Sequence, residues 1–234
     1  MTNLVAMRVL PFIDRRDAGK YLADQLRVWA DRQDVLILGL PRGGVPVAFE
    51  VARVLAAPLD VYVVRKLGVP GREEFAMGAM ASGGAEFVDT DVVAALGITE
   101  RQLELARQRE SLELERREAL YRGAPMRPLS VEGRTMIVID DGLATGATMY
   151  AGLLALRMLQ PARLIAAAPV GMPDACVRVA EICDSLVCPW RPQNFVSVGQ
   201  AYENFDATSD EEVIRLLDEA AQFGADSYDA ARPK

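Results

Sequence analysis

Two adjacent aspartates occupy the stretch of the sequence best suited to chemistry. In VIDDGLATGATM, residues 138–149, an apolar run ends on Asp140 and Asp141 and passes directly into small residues and threonines. Neighbouring carboxylates repel each other, so their placement at one junction needs a compensating partner. A helix cap or a metal site is the ordinary use of such a pair.

A second apolar run, DVLILGL, leads into another junction of small residues, PRGG. Gly43 and Gly44 permit close approach of the backbone, and Arg42 supplies a planar cation. A helix that begins at such a junction offers N–H groups and the positive end of its dipole, which together bind anions. PRGG alone is more often a tight turn. The loop after the aspartates has the same character and comprises Thr145, Gly146, Ala147 and Thr148.

The apolar runs predict the elements that position these junctions. DVLILGL, LDVYVVRKLG, RTMIVID, ARLIAAAPV and SLVCP are typical of buried strands, and helical patterns separate them. This alternation favours a parallel α/β sheet with right-handed crossovers. The second run ends on Arg65 and Lys66. Ligands of such sheets bind at the carboxyl ends of the strands, so both junctions and this basic pair are expected at one edge. The combination suits a ligand with phosphates at two ends and hydroxyls between them.

The remaining segments predict an inserted flap and further helices. Residues 68–89 are rich in glycine, with a hairpin turn expected at Gly83 and Gly84, so we interpret them as a flap or loop. Thr99 and Gln102 form a capping box at the start of a long, highly charged helix. An amphipathic helix is expected over residues 14–30, and an acidic helix near residues 209–223.

Composition narrows the classes of function. The 234 residues carry 26 basic and 33 acidic side chains, a net charge of -7, and no basic run, so a nucleic-acid surface is not expected. The absence of histidine leaves carboxylates, Lys, Arg, backbone amides or a substrate-borne metal for chemistry. Three cysteines without CxxC spacing suit a reduced compartment. No apolar run reaches the length of a membrane span, so we expect a cytoplasmic protein.

These motifs resemble those of the type I phosphoribosyltransferases. VIDDGLATGAT resembles that family's phosphoribosyl pyrophosphate (PRPP) signature. LPRGGVPVAFEVARVL is similar to its pyrophosphate loop and following helix, nearest to the xanthine-guanine type. VVRKLG and the glycine-rich flap resemble the strand and mobile loop that close over PRPP. The matched segments run from about residue 35 to about residue 170, and the whole chain also resembles a group of bacterial predicted phosphoribosyltransferases.

The resemblance implies roles around the sugar. Asp140 and Asp141 would accept hydrogen bonds from the ribose 2- and 3-hydroxyls, directly or through bound magnesium. Magnesium prefers oxygen from phosphates, hydroxyls and water, so the lack of histidine is no objection to it. The loop that would bind the 5-phosphate comprises Ala144, Thr145, Gly146, Ala147 and Thr148.

The resemblance also implies roles around the leaving group. Arg42, Gly43 and Gly44 would hold the pyrophosphate, and the peptide bond that enters this loop would be cis. Arg65 or Lys66 would neutralise the pyrophosphate from the neighbouring strand. Magnesium, Lys66, Arg42 and the glycine amides would then stabilise the charge that grows on the departing oxygen.

The acceptor side of the site departs from the family pattern. Hypoxanthine-type members carry an acid where this sequence has Ala144, and alanine there is seen in adenine- and uracil-type members. Glu74 in the flap is the candidate general base, with a solvated loop carboxylate as the alternative. Phe195 in the hood would stack on the base, with Tyr202 and Trp190 as competitors, although a core or dimer contact is an equal alternative for each ring.

We therefore expect an α/β fold: a doubly wound, five-stranded parallel sheet, Rossmann-like, with an inserted flap and a small C-terminal hood, in one domain over residues 1–234. Its expected parts are an N-terminal helix in 1–33, a core in 34–189 with the flap at 67–89 and the long helix at 99–122, and the hood with a C-terminal helix in 190–234.

The expected activity is transfer of the 5-phosphoribosyl group between PRPP and a nitrogenous acceptor, a nucleobase, with release of pyrophosphate and dependence on Mg²⁺. We expect a homodimer that binds neither nucleic acid nor membrane. One alternative is a PRPP- or nucleotide-binding regulator without turnover. A weaker one is an unrelated Rossmann-like phosphate binder, which would lack a PRGG loop facing the aspartates.

Overall fold

The computed structural model describes residues 11–123, 129–194 and 196–229, with the backbone alone for Glu74 and residues 223–229. Its strands in chain order are β1 (Val35–Gly39), β2 (Leu59–Val61), β3 (Val64–Val69), β4 (Arg72–Ala81), β5 (Ala85–Val88), β6 (Thr135–Ile139), β7 (Arg163–Ala167) and β8 (Ser185–Val187). Its α-helices are α1 (Arg15–Gln25), α2 (Gly44–Leu55), α3 (Thr90–Ala95), α4 (Glu100–Arg122), α5 (Ala147–Arg157), α6 (Pro173–Ala180) and α7 (Asp210–Asp229).

The central sheet has five parallel strands in the order β2-β1-β6-β7-β8, so the predicted sheet is confirmed. Every residue of β1 and β6 is buried, as expected of strands that helices cover on both faces. These two strands pair from Val35 with Thr135 through Gly39 with Ile139. Because they end at the same level, the loops that follow them emerge side by side.

Side chains alternate between two apolar layers along these strands. Leu36 and Met136 pack on one face with residues of α5 and α6. Ile37 and Ile137 pack on the other face with residues of α1 and α2. Period-two alternation within fully buried strands therefore holds helices on both faces, which gives the doubly wound architecture.

The second strand is shorter than its apolar run predicts. β2 ends at Val61, and the chain then leaves the central sheet, because the Val63 N–H donates to Ser82 Oγ (2.9 Å) and the Tyr62 hydroxyl donates to the Gly152 carbonyl (3.1 Å). Arg65 and Lys66 consequently lie within β3, in a different sheet. Our prediction that they end a strand of the central sheet is wrong.

The flap is a three-stranded antiparallel sheet in the order β3-β4-β5, where the sequence also allowed a loop. The predicted turn between β4 and β5 is confirmed, with φ of +79° at Gly83 and +75° at Gly84. Positive φ favours glycine, since it has no Cβ to clash. This small sheet packs on α5, beside the loop that follows the aspartates.

The flap leads into two helices. The sequence pattern did not predict α3, whose N-cap Asp89 accepts the N–H groups of Asp91 and Val92. The predicted capping box at the start of α4 is confirmed, with Thr99 and Gln102 bonded reciprocally. None of the helices in the described ranges combines the length and apolarity that crossing a membrane requires.

The hood, residues 190–206, is joined to the segment before α1. Phe12 N–H donates to the Ala201 carbonyl (2.8 Å), and Glu203 N–H donates to the Phe12 carbonyl (2.7 Å). Phe12, Ala201 and Tyr202 are buried together in one apolar cluster. The segment before α1 and the hood, which lie far apart in the sequence, thus pack against each other.

Gly19 sets how closely α1 packs on α2. A Cβ at this position would lie 2.8 Å from the Val47 carbonyl oxygen and 2.9 Å from the Glu50 Cβ. Alanine normally stabilises a helix relative to glycine by up to about 1 kcal/mol, but here α1 would have to move. We expect Gly19→Ala to lower the free energy of unfolding in urea by about 1–3 kcal/mol.

Lys20→Ala, at an exposed position of α1, is the control and should change the free energy of unfolding by less than about 0.5 kcal/mol. Equal or greater stability of Gly19→Ala would contradict this packing of α1 on α2.

Candidate active site

The PRGG loop lies directly against the two aspartates. Leu40 N–H donates to the Ile139 carbonyl (2.9 Å), which joins the two strand ends. A Cβ on Gly43 would lie 2.1 Å from Asp141 Oδ2, and one on Gly44 would lie 2.5 Å from the Ile139 carbonyl oxygen. Only glycine fits at either position. An unrelated phosphate binder without a PRGG loop facing the aspartates is therefore excluded.

The peptide bond between Pro41 and Arg42 is cis, as the resemblance implies. The Arg42 side chain is half-exposed, and its NH1 atom lies 3.9 Å from the carboxylate of Asp210, the first residue of α7. The backbone of this loop therefore faces the aspartates more closely than its guanidinium does. The contact of Arg42 with pyrophosphate stays a prediction.

The aspartates are partly buried and differ in their partners. Asp140 Oδ1 accepts the N–H of Asp141 (2.9 Å), and Asp141 Oδ2 accepts Arg15 Nε (2.8 Å). Burial, followed by the charge of Asp141, raises the pKa of the Asp140 carboxyl well above its ordinary value. Burial also raises the pKa of Asp141, while the hydrogen bond from Arg15 opposes that shift. The pair therefore favours a ligand that neutralises negative charge.

The loop before α5 has the form of an anion site. Gly146 is the N-cap of α5, with φ of +67° and no side chain that could cap the first turn. Thr145, Ala147 and Thr148 are exposed, and Thr145 Oγ1 accepts the Ala147 N–H (3.3 Å). The first N–H groups of a helix have no partner within it and point outward, so this end of α5 can bind a phosphate.

The structure separates the two basic residues of β3. Arg65 donates to the buried carboxylate of Glu110 in α4 through Nε (2.9 Å), and its NH2 atom lies 2.7 Å from the same oxygen. Lys66, by contrast, lines a cavity together with the loop before α5. Of the two, Lys66 is the cation positioned at the candidate site.

This cavity lies between the flap and α5 and has a volume of about 500 Å³. The Lys66 side chain and the loop of Thr145, Gly146 and Ala147 form its polar part. Its remaining walls are mainly apolar and comprise Phe75, Ala76, Gly78, Ala79, Phe87, Tyr150, Ala151 and Leu154, with Asp89 and Arg178 at polar positions. The N-terminal end of α5, where a phosphate is expected, thus opens into a partly open cavity between the flap and this helix.

Comparison with known proteins identifies the family. The sequence pattern of the phosphoribosyl transferase domain matches residues 15–203, which is most of the chain. The chain belongs to the phosphoribosyl transferase family. A Mycobacterium tuberculosis protein provisionally named as a phosphoribosyl transferase, found in two strains, is 44% identical over 210 residues. That match covers 89% of this chain and 47% of the relative, so the chain spans about half the length of the curated relatives it matches.

The crystal structure of TT1426 from Thermus thermophilus is similar along almost its whole length. It is 38% identical in sequence with a TM-score of 0.81, and the match covers 90% of this chain and 99% of TT1426. The overall fold is therefore shared with TT1426 over most of the chain.

Two arginines at the site were missed by the sequence analysis. Arg15 begins α1 and bonds to Asp141 across 126 positions of the chain. Arg178 of α6 donates through NH2 to the Thr145 carbonyl and lines the cavity. Each sits on a predicted helix among other charged residues, and no local pattern marks either as facing the phosphoribosyl transferase signature.

The structure describes only some of the residues predicted to contact the acceptor. Phe195 lies outside the described residues, as does the side chain of Glu74, whose backbone belongs to β4. Tyr202 is 6% exposed, its ring stacks on Phe205 (5.0 Å between centroids), and its hydroxyl donates to the Asp141 carbonyl. This ring is better placed to hold the hood on Asp141 than to stack on a base. Ala144 is half-buried beside the phosphate loop.

The residues present suit a magnesium ion that arrives with its substrate. Among the described residues, no group of three or more His, Cys, Asp and Glu side chains is arranged to hold a metal ion. Asp140 and Asp141 offer hard oxygen donors, and magnesium commonly takes one or two carboxylates together with water and substrate phosphates. A direct protein ligand is therefore unnecessary, and contact through water fits the pair.

The stability of an Asp140 variant tests the electrostatic cost of ionising this buried carboxyl. Its raised pKa means that the folded state retains a proton that the unfolded state releases, so the free energy of unfolding falls as pH rises above the ordinary value of 3.8. Asp140→Asn removes the charge and keeps an oxygen for the Asp141 N–H. We expect this variant to be more stable than wild type in urea, by more at pH 8 than at pH 4.

Asp174→Asn, which changes an exposed carboxylate, is the matched control and should follow wild type at both pH values. A stability difference between Asp140→Asn and wild type that is independent of pH would contradict the buried, repelled state of Asp140.

Proposed function

We propose that this protein transfers the 5-phosphoribosyl group between PRPP and a nitrogenous acceptor, a nucleobase, with release of pyrophosphate. The observation that carries the proposal is the packing of Gly43 on Asp141, where a Cβ would lie 2.1 Å from the carboxylate oxygen. This packing brings together the PRGG loop, which would bind the pyrophosphate, and the aspartate pair, which would bind the ribose. The open end of α5 follows five residues after Asp141 and supplies the second phosphate site.

The three subsites match the order of groups in PRPP. The 5-phosphate would bind the N–H groups and hydroxyls of residues 144–148, where the dipole of α5 favours an anion. Asp140 and Asp141 would accept hydrogen bonds from the two ribose hydroxyls. The pyrophosphate would lie against the backbone of the PRGG loop, because its glycines let the loop pack directly on the aspartates and so bring the two subsites together.

The chemistry that these residues perform is stabilisation of charge. As the acceptor nitrogen displaces pyrophosphate from C1 of the ribose, negative charge grows on the departing oxygen. Lys66 and the N–H groups of Arg42 and Gly43 would be fixed donors for that charge, since the Gly44 N–H already donates to the Leu40 carbonyl (2.9 Å). Removal of one such donor typically lowers the rate by about 10²–10³-fold. Magnesium held by the phosphates, and by Asp140 and Asp141 through water, would neutralise further charge.

Binding of PRPP tests the proposed ribose site. We expect wild type to bind PRPP in the presence of Mg²⁺ by isothermal titration calorimetry, and Asp140→Asn with Asp141→Asn to abolish that binding. Asp174→Asn with Asp218→Asn removes the same number of charges at exposed positions and should bind as wild type does. Unchanged affinity for PRPP in the variant that combines Asp140→Asn and Asp141→Asn would contradict the proposal.

The rate of turnover tests whether Lys66 or Arg65 is the cation that stabilises the leaving pyrophosphate. In a pyrophosphate-release assay with PRPP and a panel of nucleobases, we expect Lys66→Gln to reduce the rate by about 100-fold, because the cation at the site is lost. Arg65→Gln should chiefly lower stability, because it removes a partner of buried Glu110. Lys20→Gln, on the exposed face of α1, is the matched lysine control.

An equal loss in Arg65→Gln, with its fold intact, would contradict the assignment to Lys66. Binding of PRPP without release of pyrophosphate in the presence of any nucleobase of the panel would identify the protein as a PRPP-binding regulator. The homodimer and the cytoplasmic location stay predictions from the sequence.

A further inference from the structure

Arg15 links the candidate ribose site to the hood. Its Nε donates to Asp141 Oδ2 (2.8 Å), and its NH1 donates to the carbonyl of Asp206 at the end of the hood (2.7 Å). Its guanidinium lies over the ring of Phe205, 3.9 Å from the centroid. The side chains of Arg15 and Asp141 are only 12% and 14% exposed. One guanidinium therefore contacts an acidic residue of the core and two neighbouring residues of the hood.

The position of Arg15 is fixed by the helix that carries it. Arg15 is the first residue of α1, whose N-cap Asp14 accepts the N–H of Asp17 (2.8 Å). α1 in turn packs on α2 through Gly19. A planar guanidinium on a rigid helix presents its donors in fixed directions, so it can hold a carboxylate and a carbonyl at the same time.

Arg15 leaves part of Asp141 available for a ligand. It bonds to Oδ2, and no hydrogen bond from the described residues reaches Asp141 Oδ1. The backbone carbonyl of Asp141 is held separately by the Tyr202 hydroxyl of the hood. The hood thus contacts Asp141 through Arg15, which bonds to its carboxylate, and through Tyr202, which bonds to its backbone carbonyl.

We propose that Arg15 is a positioning residue that orients Asp141 for the ribose and couples occupancy of the ribose site to the position of the hood. This inference rests on the proposed binding of PRPP. When a ribose hydroxyl bonds to Asp141, the carboxylate is held from both sides, and Arg15 transmits that restraint to Phe205 and Asp206. Binding at the core edge then orders the segment that lies over the acceptor side of the site.

Substitution of Arg15 tests the coupling by two readouts. Arg15→Gln should weaken PRPP binding in calorimetry by about 10- to 100-fold, the range for partners that orient a ligating group. In hydrogen exchange at saturating PRPP and Mg²⁺, wild type should gain protection in residues 196–206 and in the phosphate loop. Arg15→Gln should gain protection in the phosphate loop alone. A general loss of stability would not confine the change to the hood in this way.

Two further variants separate the geometry of the Arg15 guanidinium from its charge and provide a control on the same helix. Arg15→Lys keeps the charge, but one ammonium on a flexible stem cannot hold both Asp141 and Asp206 in the same geometry. We expect it to bind PRPP about tenfold more weakly than wild type, also without hood protection. Arg16→Gln is the matched control, because Arg16 follows on the same helix and instead lies 3.6 Å from Glu50. It should show wild-type affinity and hood protection.

Wild-type affinity and hood protection in Arg15→Gln would overturn the inference and leave the proposed function standing. If Arg15→Gln fails to fold, wild-type affinity and hood protection in Arg15→Lys would overturn the inference instead. Failure of wild type to bind PRPP would remove both the inference and the proposed function.

Discussion

The repulsion between Asp140 and Asp141 at the end of β6 is the constraint on which the site is organised. Both carboxylates are partly buried, and burial raises the pKa of each. The protein offsets part of this cost with the guanidinium of Arg15 and with the N–H of Asp141 itself. A site that holds unfavourable charge without its ligand can use the release of that strain in binding.

The rest of the fold serves to bring compensating groups to these carboxylates. β1 and β6 end at the same level, so the PRGG loop meets the aspartates, and glycine at position 43 allows contact that any Cβ would block. α1 brings Arg15 from the opposite end of the chain. The flap and α5 border the neighbouring cavity, to which they contribute Lys66 and the open N-terminus of the helix. Each of these groups comes from a different element of the fold. The site therefore depends on the tertiary structure and not on one local segment.

The sequence predicted the features that depend on local pattern. The buried runs DVLILGL and RTMIVID became β1 and β6, and the small-residue junctions after them lie together, because parallel strands end at a common edge. The apolar run through Val63 and Val64 could not reveal that the chain changes sheets there, since the partners of this segment are Ser82 and the strand β4 further along the chain. Arg15 was missed for the same reason. Its partner lies 126 positions away, and its neighbours look like an ordinary charged helix.

We expect PRPP to bind at this edge of the sheet, while Ala144, the flap and the hood select the acceptor. A crystal structure with PRPP and Mg²⁺ tests the claim most directly. We predict the 5-phosphate on the N–H groups of residues 144–148, the ribose hydroxyls within hydrogen-bonding distance of Asp140 and Asp141, and the pyrophosphate against Gly43 and Gly44. PRPP bound away from the aspartates, or none bound in well-ordered crystals at saturating concentration, would contradict the account.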